Sequence, residues 1–180
     1  MTMRQSRRLA AVLLVFGLAG CASDQAAPEP EASQALKVTP GMNLTALARL
    51  CPPAVIDDED AYRQVFSPSS STDQANLVYQ ASLVKYARTC APAASGDQLE
   101  AKIAVAGRVV GGPKAKAGPL TLPIRVEVVN GSQVYYDKVI NQQVTLPPDS
   151  LTTQFLFKAV NLPVPLNVSD TARIRVGIED

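Results

Sequence analysis

The sequence predicts a mainly β protein: an immunoglobulin-like antiparallel β-sandwich preceded by a short helical N-terminal segment. Three observations carry this expectation. Apolar residues recur with period two through most of the second half, as they do on strands with one buried face. Gly, Pro, Asn and Asp punctuate those runs at short intervals, the spacing of a sandwich. The composition, 47% hydrophobic and 18% charged over 180 residues, is that of a globular chain of one ordinary domain.

The first element is an address. Arg4, Arg7 and Arg8 form a positive start with no acid, and Leu9 to Leu18 is uninterruptedly apolar. About ten residues at ~1.5 Å each reach only half of a bilayer core, so residues 1–20 read as a signal peptide and not a membrane span. The Arg7-Arg8 pair lacks the rest of a twin-arginine signal. Leu18-Ala19-Gly20-Cys21 resembles the lipobox of bacterial lipoproteins. That resemblance implies cleavage before Cys21, a thioether to diacylglyceryl, and acylation of the new amine with chains of the palmitate class. Several acyl chains give stable attachment where one gives only marginal binding. Asp is absent directly after Cys21, although Asp24 follows nearby. By analogy with lipoprotein sorting, this implies delivery to the periplasmic side of the bacterial outer membrane.

Removing the leader changes the charge. The 17 basic and 16 acidic residues become 14 and 16, because Arg4, Arg7 and Arg8 leave, so the mature chain is about −2. Near-zero charge argues against a nucleic-acid partner, and no basic run marks a site for phosphate or anionic lipid. Residues 21–40, rich in Ala, Pro, Glu, Gln and Ser, read as a flexible tether. Its root-mean-square reach is roughly 25 Å.

Residues 41–76 read as a short helical and loop segment, continuous with the sandwich of 77–180. Asn43 to Leu50 has Leu44, Leu47 and Leu50 near one helical face, and Cys51-Pro52-Pro53 ends it. Asp57-Asp58-Glu59-Asp60 ahead of Ala61 to Phe66 fits a helix N-terminus. The four acids lack the alternate spacing and Gly of a calcium loop. Ser67 to Ser71 is a loop. Cys51 and Cys90, in an exported chain, are expected to form a disulfide. Their spacing is far wider than a redox Cys-x-x-Cys pair, and two distant Cys without His cannot make a metal site.

Leu77 to Arg88 fits either period, and its β-branched and aromatic residues favour a strand. Leu99 to Val109, Ile124 to Val128, Phe155 to Ala159 and Ile174 to Ile178 alternate cleanly. Asn130-Gly131 predicts a type I′ hairpin. Pro147 to Ser150 separates two strands, and Leu162-Pro163-Val164-Pro165 marks a sheet edge, because Pro cannot donate to a ladder. On a strand, Tyr135 and Tyr136 face opposite ways.

For chemistry, the sequence offers little. It contains no His, which removes the Ser-His-Asp triad and the His-activated Cys. Ser82 and Lys85 are the nearest Ser–Lys pair, and on a regular strand they face opposite ways. Gly111 to Gly118 lacks the Gly-Lys-Ser/Thr ending of a phosphate loop and reads as a β-connection, or a recognition tip. No catalytic residue, metal or cofactor is assigned.

The mature chain is also similar to a family of uncharacterised alphaproteobacterial envelope lipoproteins, through Leu77 to Leu83, Arg88-Thr89-Cys90, Ala106 to Val110, Gly112-Pro113, Leu122 to Val126 and Thr153 to Phe157. The resemblance implies envelope location and a β fold, with no chemistry attached. The expected function is therefore non-enzymatic: a lipid-anchored domain that contacts an envelope partner, by strand addition at an edge such as Ala159–Val168. A glycan- or peptidoglycan-binding module is the alternative.

Overall fold

A computed structural model describes residues 43–179. The expected signal peptide (1–20), the expected tether (21–40) and the expected lipidation site Cys21 lie outside the described residues.

The chain enters through α1 (Leu44–Leu50). The Asn43 side chain accepts the Thr45 N–H at 2.8 Å, capping the first turn, and Arg49 sits in the last. Leu47 is buried in the core. Pro52 and Pro53 then prevent further helix.

Eight strands follow: β1 (Ala54–Val55), β2 (Tyr62–Phe66), β3 (Leu77–Pro92), β4 (Gln98–Gly111), β5 (Gly118–Asn130), β6 (Gln133–Leu146), β7 (Thr152–Pro165) and β8 (Arg173–Ile178). They form two four-stranded sheets, ordered β1-β8-β5-β6 and β2-β3-β4-β7. Every pairing is antiparallel except β1 with β8. The fold is mainly β and sandwich-like.

Period two decides which side chains meet. Leu99, Val105 and Val109 of β4, Ile124, Val126 and Val128 of β5, and Phe157 of β7 are all within 1% of complete burial. Together with Ile174 and Val176 of β8 they join one apolar cluster drawn from both sheets. Gln154, Leu156 and Lys158 alternate with Phe155 and Phe157 and are exposed. Leu77–Pro92 is strand, so the ambiguous segment resolves to period two.

Three local expectations are corrected. Tyr62–Phe66 is strand β2, not helix. The acids before it make a turn instead, with the Asp60 and Ala61 N–H groups donating to the Asp57 carbonyl at 3.0 and 2.9 Å. β2 then gains the β3 ladder as a partner. The β5–β6 hairpin exists, but its loop is Gly131-Ser132, with Asn130 paired to Gln133. Among these loop residues only Gly131 has positive φ (57°), which fits type II′ and not I′. Tyr135 and Tyr136 both pack against the core, because the register slips between Val128↔Tyr136 and Val129↔Val134. A bulge suspends the alternation there.

Candidate functional site: a cation-bearing sheet face

Cys51 and Cys90 are disulfide-bonded, with Cα atoms 5.6 Å apart. The bond ties the end of α1 to β3, and Cys90 packs against the core.

The outer faces of the two sheets differ. On β1-β8-β5-β6 the charges close on one another. Arg125 donates to both oxygens of Glu179 at 2.8 and 3.2 Å and to Asp137 at 3.1 Å. Arg175 donates to Asp57 at 2.9 Å and lies 3.6 Å from Glu127. The Glu179 hydrogen bond, then the Asp137 charge, hold Arg125 above its ordinary range, and the Asp57 hydrogen bond does the same for Arg175. The cleft among these groups is about 40 Å³. Its two guanidiniums already hold carboxylates, which leaves them poorly placed for an incoming anion.

On β2-β3-β4-β7 the register builds a different surface. Residues directly opposite in a ladder share a face. Ser82, Arg108 and Gln154 form one row, Lys85, Ala106 and Leu156 the next, and Ala87, Ala104 and Lys158 the third. Thr89 and Lys102 continue it. Lys85, Lys102, Arg108 and Lys158 therefore surround Ala104 and Ala106. No ion pair holds any of the four cations among the described residues. Between them stand aliphatic side chains in water: Val84 is 67%, Leu156 54% and Val160 55% exposed. A dent of about 200 Å³ lies over Ala87 and Ala104, edged by Thr89, Lys102, Lys158 and Val160.

Two bulges shape this face. Val84 is the extra residue between Leu83↔Gly107 and Lys85↔Ala106. It turns Lys85 outward, onto the same face as Ser82. The expectation that Ser82 and Lys85 face opposite ways is thereby corrected, yet no hydrogen bond joins them among the described residues. The second bulge places Val160 and Asn161 opposite Lys102, with Asn161 in the left-handed region at φ 58°. Asn tolerates that region better than most residues.

The sequence reading missed this face and saw no basic patch. Its cations are isolated in sequence, and only pairing brings them together. The available signal was a Lys or Arg at an outward position of each successive strand.

The Gly111–Gly118 segment connects β4 to β5 without a following helix. The Gly112 N–H donates to Val78 O and the Lys114 N–H to Leu77 O, both at 2.9 Å, which pins the loop to β3. Lys114 and Lys116 line a cleft of about 480 Å³ with Tyr79, Leu120 and Leu146. Burial raises the Tyr79 phenol above its ordinary value, against the opposing charge of Arg63.

Among the described residues no group of three or more His, Cys, Asp or Glu is placed to hold a metal ion. No helix there is long and apolar enough to cross a membrane. Comparison of the chain with known families, curated proteins and solved structures finds no match.

Proposed function

We propose that this chain is an exported envelope lipoprotein, anchored through acyl groups on Cys21 at the periplasmic face of the bacterial outer membrane. Its role is non-enzymatic contact with an extended segment of another envelope protein. The motif Leu18-Ala19-Gly20-Cys21 supports the anchor. The observation that carries the contact role is β7, a strand of 14 residues at the end of its sheet. Its C-terminal part is blunted by the Val160–Asn161 bulge, Pro163 and Pro165. Thr152–Ala159 keeps an open edge for strand addition. The candidate edge therefore lies N-terminal to the Ala159–Val168 segment expected from sequence, of which Leu166–Val168 is a 3₁₀ turn.

The immunoglobulin-like description is proposed for architecture alone. Two stacked four-stranded sheets support it. The β3–β4 hairpin stays within one sheet and its successor β5 lies in the other, the crossing that the immunoglobulin order also makes after its second strand.

Glycan or peptidoglycan binding is the second reading, favoured by the cleft under the β4–β5 loop. Tyr79 offers a ring for a sugar face, and Lys114 and Lys116 offer cations for peptide carboxylates.

The test is Cys21→Ser followed by fatty-acid labelling and fractionation. The variant is expected to lose acyl label and to stay unprocessed. Equal labelling and equal processing in the variant overturn the reading. Sedimentation with purified sacculi, lost in Lys114→Ala with Lys116→Ala, favours the second reading.

A further inference from the structure

We propose that the outer face of the β2-β3-β4-β7 sheet is a docking surface for an anionic phospholipid bilayer. Charge complementarity is the first argument. Lys85, Lys102, Arg108 and Lys158 surround Ala104 and Ala106 and find no carboxylate among the described residues, while Arg125 and Arg175 on the opposite sheet are both paired. The mature chain is net acidic, so this local excess of positive charge runs against its average.

The second argument is which side chains lie between the cations. Protein interfaces deplete Lys and concentrate aromatic residues and Arg at their centres. This face has three Lys, one Arg and the exposed aliphatics Val84, Leu156 and Val160, with a single exposed aromatic, Tyr62, at its β2 margin. Lys stems lie along apolar surface and carry their charge to a headgroup layer. A bilayer offers diffuse phosphate and an apolar boundary, and demands no shape match from a flat sheet.

The face also suits the anchor. Acyl chains on Cys21 with a tether reach of roughly 25 Å hold the domain at high effective concentration near the leaflet. Docked on this face, the sheet lies flat and the β7 edge runs along the membrane, open to a partner.

The experiment is lysine footprinting of the full chain, purified from its membranes and reconstituted in vesicles of phosphatidylglycerol with phosphatidylcholine, or of phosphatidylcholine alone. An amine-acetylating reagent is applied, and each lysine is read by mass. Each cation near an anionic surface changes partition about fivefold, so Lys85, Lys102 and Lys158 are expected to react at least about fivefold more slowly in the anionic vesicles. Lys114, Lys116 and Lys138 are expected to react equally in both. Salt at about 0.5 M is expected to erase the difference. In Lys85→Ala with Lys158→Ala, Lys102 is expected to regain its reactivity. In Lys138→Ala with Arg173→Ala, which removes the same charge from the other sheet, protection is expected to persist.

Equal rates in the two vesicles overturn the proposal. So does protection spread evenly over all lysines, or protection of Lys102 that survives the double substitution. The same digest reports whether Cys21 is acylated, so failure of the anchor reading and failure of this one are read separately.

Discussion

At Cys51 the chain leaves a seven-residue helix and is bonded to Cys90, 39 positions later, near the C-terminal end of the longest described strand. Closing a loop of that length restricts the unfolded chain by roughly 4 kcal/mol. Cys51→Ala with Cys90→Ala is therefore expected to lower unfolding stability by about that amount, measured by urea titration with and without reductant. An unchanged midpoint contradicts the bond. Gly107 makes a separate residue-scale claim. It pairs with Phe155, whose ring covers the space a Cβ needs. Gly107→Ala is expected to cost about 1–3 kcal/mol by overpacking, and Phe155→Leu in the same chain to recover part of it. Tyr79 carries a pH dependence. Burial raises its folded value above the ordinary 10.0. Its contribution is fully present below the unfolded value and is lost as pH rises through the folded one, so stability is expected to decline above about pH 10. Tyr79→Phe is expected to flatten that decline in urea midpoints taken across the alkaline range. An identical slope contradicts the assignment. Among these features the disulfide was legible from two Cys in a chain whose start reads as an export signal. The Gly107–Phe155 contact was not, because it depends on a pairing across 48 positions of chain that no local pattern encodes.

The elements separate by how local their causes are. α1 was legible because its leucine spacing and its terminating prolines all lie within about ten residues. The β4, β5, β7 and β8 alternations were legible because each strand buries one face throughout, leaving Val105 and Ile124 buried while Lys102 and Lys158 remain in water. β2 was misread because acids before an apolar run serve a helix dipole or a turn equally well. Arg175, 118 positions away from Asp57, partners the turn. The hairpin was found one residue early because Asn-Gly supplies positive φ in either register, and the bulge at Tyr135 shifted the pairing. Gly131 holds φ 57°, so Gly131→Ala is expected to cost about 1 kcal/mol, read by thermal unfolding. A neutral effect contradicts the turn geometry. At β7, a photo-crosslinking residue at Gln154 is expected to give one discrete product in cells, and the same residue at Val139 on β6 none. The reverse pattern rejects β7 as the contact edge.

At the scale of the whole molecule, two sheets of similar size carry opposite electrostatic designs. One closes Arg125 and Arg175 into carboxylates, and the other leaves four cations among exposed aliphatics. Composition hides this difference, because net charge averages over faces that only strand register defines. Fold class was therefore readable from period two, whereas the candidate face required the pairing of β3, β4 and β7. The account joins that domain to a membrane through one thiol, so its central claim is a covalent one. The most direct measurement is the mass of the N-terminal peptide from protein extracted from its native membranes. The account predicts a peptide beginning at Cys21, carrying a diacylglyceryl thioether and an amide-linked acyl chain. A peptide beginning at Met1, or a free thiol on Cys21, contradicts it.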